Sequence, residues 1–262
     1  MIKAIFFDVD GTLLSFDTHT MPQSTRESLF KLRDKGIKLF LATGRSPKVY
    51  PKIAHLIDFQ FDGYVFCNGQ YVVVEEKVIH NMPLPKEDLV NLLPYFEENN
   101  IAVHFTELDY SYANLENERV SKLRELLGAT YPNTRNDNPE RVKVNDTYQL
   151  SAYILPDEEE EFFKQAPNLR GVRWNDLFAD IIPLKGGKAV GIEKMLEHFG
   201  LEKSESMAFG DGGNDTEMLE YVEYGIAMGN AVQSAKDVSV FVTEHVDNDG
   251  IYKALVKYEL VD

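Results

Sequence analysis

The sequence predicts an α/β fold, a parallel sheet with helical crossovers that carries an inserted α+β segment. Near the start of the chain, short apolar runs alternate with helix-like stretches at the spacing of parallel strands joined by crossovers. The same alternation resumes from residue 184 onward. Between the two, hairpin-like strands and helices follow a different order, which marks an insertion.

The elements follow in chain order. Ile2–Phe7 is an apolar run suited to one buried strand, bounded by Asp8 and stopped by the Gly11 turn. Pro22–Lys35 has helix character, with Ser24 or a neighbour as cap, Leu29 and Leu32 facing inward, and Gly36 at its end. Ile37–Ala42 is a second strand that stops at Thr43-Gly44-Arg45, Pro47–Ile57 a second helix, and Tyr64–Cys67 a third strand ending at Asn68-Gly69. Tyr71–Glu75 and Lys77–His80 look like a small hairpin. The insertion then offers helix Lys86–Glu98, strands near Ile101–Thr106 and Tyr110–Ala113, and a helix near Glu118–Leu127. Strands near Gln149–Leu155 and Val172–Trp174 enclose the acidic helix Asp157–Gln165, and strand Ala179–Ile182 leads to Pro183. Trp174, Tyr110, Tyr112 and Phe105 are expected to pack the insertion's core. The last part gives helix Ala189–Phe199, strand Ser206–Phe209 and helix Asp215–Tyr221. Strand Gly225–Ala227, a helical turn at Val232–Lys236, strand Val238–Val242 and helix Asn248–Lys257 complete it. Residues 1–82 and 184–262 are thus expected to form a discontinuous core, with 83–183 inserted.

Composition narrows the function classes. An apolar fraction of 44% is that of an ordinary globular protein. Lys and Arg number 27 against 43 Asp and Glu, a net charge of -16. That sign argues against non-specific binding to nucleic acid or to an anionic membrane surface. A small anionic substrate stays compatible, because a metal and a few donors can make one cleft locally positive. Cys67 is the only cysteine, so no intrachain disulfide forms. The opening MIKAIFFDVDG is too short and too soon charged for a signal peptide or a membrane span, so a cytoplasmic protein is expected.

In a parallel sheet, ligands bind beyond the carboxyl ends of the strands. Four such ends are polar here: Asp8-Val9-Asp10-Gly11-Thr12, Thr43-Gly44-Arg45, Asn68-Gly69 and Gly210-Asp211-Gly212-Gly213-Asn214-Asp215. Asp8 at a strand tip can face a ligand, and Asp10 in the following turn can approach from another side. The plainer reading is a solvated turn in which Asp10 or Thr12 caps a helix. Asp211 and Asp215 form a second acidic cluster whose glycines let the loop come close to a metal, although Asp215 alone also suits a cap. Carboxylates in this number suit a hard, oxygen-seeking ion such as Mg²⁺. The six histidines show no zinc spacing. Lys188 in Lys185-Gly186-Gly187-Lys188 can hold a phosphoryl oxygen or lie on the surface, and the stretch is not a Walker A loop. Thr43 and the Gly44 N–H are candidate phosphoryl donors, and Arg45 can reach a leaving group. Asn68-Gly69 is either a hairpin turn or a substrate contact. Cys67 has no histidine partner in sequence and reads as a small buried residue.

Taken in order, these residues resemble the four motifs of the haloacid dehalogenase superfamily: Asp8-Val9-Asp10-Gly11-Thr12, Thr43-Gly44-Arg45, Lys188, and Gly210 to Asp215. The insertion between the second and third motifs is similar to the cap of the Cof-type sugar phosphatases. Asp180-Ile181-Ile182-Pro183, Gly229-Asn230-Ala231 and Asp249-Gly250 match patterns of that branch. The resemblance covers essentially the whole chain. It implies a Rossmann-like parallel-sheet core with an inserted α+β cap, residues 83–183, which closes over the core and excludes water. It further implies Asp8 as nucleophile forming an aspartyl-phosphate, and Asp10 as general acid/base. Thr43, Gly44 and Lys188 would bind the phosphoryl group. Magnesium would be held by Asp8, the Asp10 carbonyl and Asp211, with Asn214 or Asp215 helping. Ala189 stands where many relatives have glycine, a departure that removes no reacting group.

The implied activity is Mg²⁺-dependent hydrolysis of a small-molecule phosphomonoester, with a small sugar phosphate favoured, by a monomer or weak homo-oligomer. Substrate contacts are expected among Arg45, Asn68, Gly69, Tyr112, Asn114, Arg119 and Asp180. The competing readings are a phosphotransferase or mutase using the same Asp8 chemistry, and an inactive ligand-binding protein. The second predicts loss of a central group, whereas Asp8, Asp10, Lys188 and Asp211 are all present. A dinucleotide-binding oxidoreductase lacks support, because the first strand has no Gly-x-Gly-x-x-Gly turn.

Overall fold

Strand β1 (Ala4–Phe7) pairs in parallel with β2 (Lys38–Ala42) on one side, placing Phe6 opposite Phe40. Helix α1 (Gln23–Asp34) makes the crossover between them, and α2 (Pro51–Ile57) the crossover to β3 (Gly63–Phe66). The hairpin β4 (Tyr71–Val74) and β5 (Lys77–Asn81) then adds to the same sheet in antiparallel sense. The described residues of this computed structural model are 1–127 and 134–262.

The chain next forms α3 (Lys86–Glu98), β6 (Val103–Thr106), β7 (Ser111–Ala113), α4 (Glu118–Leu127) and β8 (Arg135–Asn136). It continues through β9 (Gln149–Ala152), α5 (Glu159–Gln165), β10 (Leu169–Asn175) and β11 (Phe178–Pro183). It then returns with α6 (Lys188–Phe199), β12 (Ser206–Gly210), α7 (Thr216–Tyr221) and β13 (Tyr224–Ala227). Helix α8 (Gln233–Val238), β14 (Phe241–Val242) and α9 (Gly250–Lys257) complete it. Two compact units result: Met1–Asn81 with Gly186–Asp262, and Met82–Lys185. This is an α/β fold with the core-and-cap architecture.

The core sheet runs β14-β13-β12-β1-β2-β3-β4-β5, with all pairs from β14 to β3 parallel. Strand alternation divides its apolar side chains between two layers. Ile5, Phe7, Leu39, Leu41, Met207 and Phe209 share one cluster with Leu29 and Leu32 of α1 and Ile251 and Leu255 of α9. Phe6, Phe40, Ala42 and Ala208 share the other with Ile192, Met195 and Leu196 of α6 and Met218 of α7. Both faces are therefore covered, as a parallel sheet requires. Each fully buried Phe or Leu contributes about 1.5–3 kcal/mol of transfer free energy.

The inserted unit builds a separate six-stranded sheet, β10-β11-β9-β6-β7-β8, antiparallel except at β7–β8. Leu89, Leu92 and Phe96 of α3 and Phe162 of α5 pack on Phe105, Leu150 and Ile181 from its strands. A smaller cluster joins Val120 and Leu123 of α4 to Tyr153 and Phe178. Tyr112 stacks on Phe105, ring centroids 4.7 Å apart. The expectation for Trp174 falls on a side chain outside those described.

The parallel sheet forms as expected over β14 to β3, and the hairpin extends its edge in antiparallel sense. Several local expectations are corrected. Helix α2 begins at Pro51, where a missing N–H costs nothing, and the preceding residues form turns closed on the Ser46 carbonyl. Ser24 does not cap α1. It lies inside the helix, and its hydroxyl donates to Asp249 Oδ1 at 2.5 Å. The last strand is only Phe241–Val242, since buried Ala235 keeps α8 helical through Val238. Among the described residues, no helix is long and apolar enough to cross a membrane.

Candidate active site

The central sheet order β12-β1-β2-β3 explains why distant polar segments meet. These four strands are parallel neighbours, so their carboxyl ends lie side by side where the strand order reverses. Asp8 follows β1, Thr43 follows β2, Asn68 follows β3, and Asp211 follows β12. Lys188 is the first residue of α6.

Lys188 is 1% exposed and links two of the carboxylates. Its Nζ donates to Asp8 Oδ1 at 2.5 Å and to Asp215 Oδ1 at 2.6 Å. The other Asp215 oxygen accepts the backbone N–H groups of Asp211 and Gly212, each at 2.9 Å. Both Asp215 oxygens are thus engaged, so this residue shapes the loop and anchors the lysine. Thr12 Oγ1 donates to Asp211 Oδ1 at 2.8 Å. Gly11 is required between these groups. It holds φ +89, and a Cβ there would come within 2.2 Å of Asp211 Oδ2.

Three carboxylates, Asp8, Asp211 and Asp215, bring ligand oxygens within 4.8 Å of one another, all from buried residues. Burial pushes the Asp8 carboxyl up to about 7, with Asp215 and Asp10 adding to the rise and Lys188 opposing it. Burial likewise pushes Asp211 up to about 9, aided by Asp8 and Asp215 and opposed by the Thr12 hydroxyl. Burial pulls Lys188 down, but Asp215 and Asp8 outweigh it and leave the ammonium firmly charged. One ammonium among three carboxylates leaves an excess of buried negative charge. An oxygen-only donor set with that excess fits a hard divalent cation.

Asp10 and Arg45 form a second constellation. Arg45 Nε and Nη2 donate to the two Asp10 oxygens, both at 2.8 Å. Thr43 Oγ1 accepts the Arg45 backbone N–H at 3.1 Å, which leaves its own O–H free to donate outward. Asn68 sits in a left-handed conformation, φ 52, within the turn Cys67–Gly69. Its side-chain oxygen accepts from Asn214 Nδ2 at 3.1 Å. Gly69 holds φ +101, and any Cβ there would strike the Gly187 carbonyl at 2.0 Å.

The structure therefore gathers Asp8, Asp10, Thr43, Gly44, Arg45, Lys188, Asp211, Asn214 and Asp215 at adjoining strand ends. Asn68 and Gly69 take the turn position, one of their two expected readings: both are buried there, and Asn68 braces Asn214. The four cap residues expected at the substrate are committed to the cap's own framework. Tyr112 is fully buried in its core. Asn114 bridges backbone, accepting from Val103 N–H and donating to the Ile101 carbonyl. Arg119 forks onto Glu158 and donates to the Tyr153 carbonyl. Asp180 is buried and accepts from Ser151 at 2.7 Å.

One residue had no assigned role from sequence. Asn230 Nδ2 donates to the Gly11 carbonyl at 2.8 Å and reaches Asp211 Oδ2 at 3.4 Å, while its oxygen accepts Val246 N–H at 3.0 Å. Its only signal was the Gly229-Asn230-Ala231 pattern, which carried no chemistry of its own.

The haloacid dehalogenase-like hydrolase family matches residues 5–255. The chain belongs to this family. The Bacillus subtilis protein YkrA is 37% identical over 260 residues, 99% of this chain and 98% of that one. The solved structure of BT4131, described as a HAD subclass IIB sugar phosphatase, is 34% identical with a TM-score of 0.88, covering 99% of this chain and 100% of that one. BT1666 from Bacteroides thetaiotaomicron, described among the phosphatases of the superfamily, is 34% identical with a TM-score of 0.91, covering 100% and 96%. These likenesses support phosphatase activity in general for a chain whose buried Asp cluster suits a divalent metal.

Proposed function

We propose that this protein is a magnesium-dependent phosphomonoester hydrolase that works through an aspartyl-phosphate on Asp8, with small sugar phosphates as substrates. The observation that carries the reading is Asp8 itself, buried at the end of β1 and held by the Lys188 ammonium at 2.5 Å. Asp10 stands two residues on, as a separate carboxyl paired with Arg45 rather than with the cluster.

A carboxylate oxygen of Asp8 attacks phosphorus, and the bond from phosphorus to the ester oxygen breaks. Asp10 gives its proton to that leaving oxygen. Asp10 then takes a proton from water as the water oxygen attacks phosphorus, and the bond to Asp8 breaks to release phosphate. Lys188, the Thr43 hydroxyl and the Gly44 N–H supply positive charge and donors to the phosphoryl oxygens. Asp8, the Asp10 carbonyl, Asp211 and Asn214 are the residues assigned to Mg²⁺, with Asp215 orienting the loop and Lys188. When bound, the ion offsets charge on the phosphoryl group and on the clustered carboxylates.

The sugar-phosphate assignment rests on the likeness to the subclass IIB sugar phosphatase. The Cof-type branch is assigned on the same likeness together with the Gly229-Asn230-Ala231 and Asp249-Gly250 patterns. Substrate selectivity is assigned to the cap, residues 83–183. The test is a screen of phosphate release over sugar phosphates, nucleotides and pyridoxal phosphate, with and without Mg²⁺. Metal-dependent release that is fastest on sugar phosphates is expected. Isomerised sugar phosphate without free phosphate would instead establish a phosphotransferase.

A further inference from the structure

We infer that Arg45 is a positioning residue that acts through Asp10, and that its contribution depends on whether the leaving group needs a proton. This rests on the assignment of Asp8 and Asp10 above. Arg45 was a candidate for touching substrate directly, but its fork is already occupied. Nε meets Asp10 Oδ2 and Nη2 meets Asp10 Oδ1, both at 2.8 Å, in the two-point geometry that fixes the plane of a carboxylate. The fork projects from a fixed base. The Arg45 N–H donates to Thr43 Oγ1 at 3.1 Å, and the Arg45 carbonyl accepts Cys67 N–H at 3.0 Å. Asp10 is tethered on its own side, where Gly11 N–H donates to the Leu14 carbonyl at 2.8 Å and closes the turn. Two rigid turns, 35 residues apart in sequence, thus set one carboxyl in one orientation.

The fork fixes the orientation of the carboxyl that meets the leaving oxygen. Each of the two Asp10 oxygens meets its own guanidinium nitrogen, so the carboxyl plane is fixed from both sides. As the proton passes, the Asp10 O–H bond breaks and the O–H bond to the leaving oxygen forms. Asp10 becomes a carboxylate held in the same plane by the fork. The two-point contact thus aims the carboxyl at the leaving oxygen, so it acts on proton delivery rather than on substrate binding. A lysine there offers one point charge and cannot fix the plane.

The experiment compares two esters in the full-length protein with Mg²⁺. One is a hexose phosphate, whose alkoxide needs a proton to leave; the other is p-nitrophenyl phosphate, whose phenolate departs without one. Arg45→Ala is expected to lower kcat/KM on the hexose phosphate by about 10²-fold, within the range of general acid catalysis. That constant reports phosphoryl transfer to Asp8 and not the later water attack. The loss on p-nitrophenyl phosphate is expected to be about a tenth as large or less, with KM for either ester changed little. Arg45→Lys should give the same selectivity at intermediate size, and it supplies the comparison if the alanine variant fails to fold. Equal losses on both esters, or a rise in KM alone, would overturn the inference and make Arg45 a phosphate or sugar contact. Asp10→Ala run beside it separates the two levels. If that variant is ester-selective and the Arg45 variants are not, only the role of Arg45 falls. If Asp10→Ala is not ester-selective, the acid assignment falls with it.

Discussion

The central core cluster and the cap's arginine pairs place charged side chains in different ways. In the cap, three arginines each match one carboxylate: Arg119 forks onto Glu158, Arg141 onto Glu107, and Arg173 meets Glu159 at 2.5 Å. Each pair balances itself, and two of the arginines also donate to backbone, Arg119 to the Tyr153 carbonyl and Arg173 to those of Phe178 and Ile154. The core cluster is unbalanced, with Asp8, Asp211 and Asp215 around the single Lys188 ammonium. A matched pair holds a framework together. An unmatched cluster is a place built to receive positive charge, and its imbalance costs stability until that charge arrives.

The largest expected effect breaks the chemistry of the unbalanced cluster. Asp8→Asn should lower turnover by at least about 10⁴-fold, because an amide is a poor nucleophile. Near-normal phosphate release by that variant would remove Asp8 from its role. The same change takes one negative charge from the cluster, so the metal-free variant should melt no lower than the metal-free parent. Asp211→Asn comes next. Thr12 and Asn230 aim this carboxylate, so its loss should raise the Mg²⁺ concentration needed for half-maximal activity and shrink the thermal shift produced by the ion. An unchanged titration by both readouts would place the ion elsewhere.

The contrast can also be sharpened by removing one cation from each region. Lys188→Met leaves Asp8 and Asp215 facing each other without their shared partner, and should destabilise the fold by about 3–5 kcal/mol. Arg119→Met removes a partly solvated partner, 29% exposed against 40% for Glu158, and should cost about 1 kcal/mol. Denaturant unfolding of the two variants measures the difference. Equal costs would show that the lysine is no more deeply coupled than a framework arginine.

Much of the core site was legible in the sequence because its signal is local. An apolar strand that ends abruptly in Asp8, Thr43 or Asp211 can be read from neighbouring residues, and a parallel sheet then puts those ends together. The partners that aim them could not be read this way. Thr12 reaches Asp211 across 199 residues, Arg45 reaches Asp10 across 35, and Asn230 reaches Gly11 across 219. Such pairs depend on how two turns approach in space. The same limit explains the cap. Asn114, Arg119 and Asp180 have the chemistry of ligand contacts, yet backbone groups and neighbouring side chains already use it, and the Tyr112 ring is taken up by core packing. Their commitments lie in pairings with distant strands and helices that local patterns do not record.

The last effect concerns pH, and here the two regions should respond with opposite signs. In the core, Asp8 and Asp211 are raised from an ordinary 3.8 to about 7 and about 9. The folded metal-free protein therefore holds protons that the unfolded chain has released, and this contribution to stability is lost as pH rises from about 4 toward 9. In the cap, His104 is 9% exposed and packed edge-on against Tyr153, with ring centroids 5.4 Å apart. Burial, opposed by Glu116 and aided by Arg124, lowers it from 6.5 to about 4. The unfolded chain then binds the proton first, so the stability that His104 contributes is present above pH 6.5 and lost as pH falls toward 4. Over that window the loss amounts to about 3 kcal/mol. His104→Phe should flatten the acid side of the stability profile and leave the alkaline side unchanged. Added Mg²⁺ should do the reverse, lifting the alkaline side and leaving the acid side as it was. Thermal unfolding from pH 4 to 9, with and without the ion, reads both arms. An acid side that stays as steep in His104→Phe would show that other groups govern that arm.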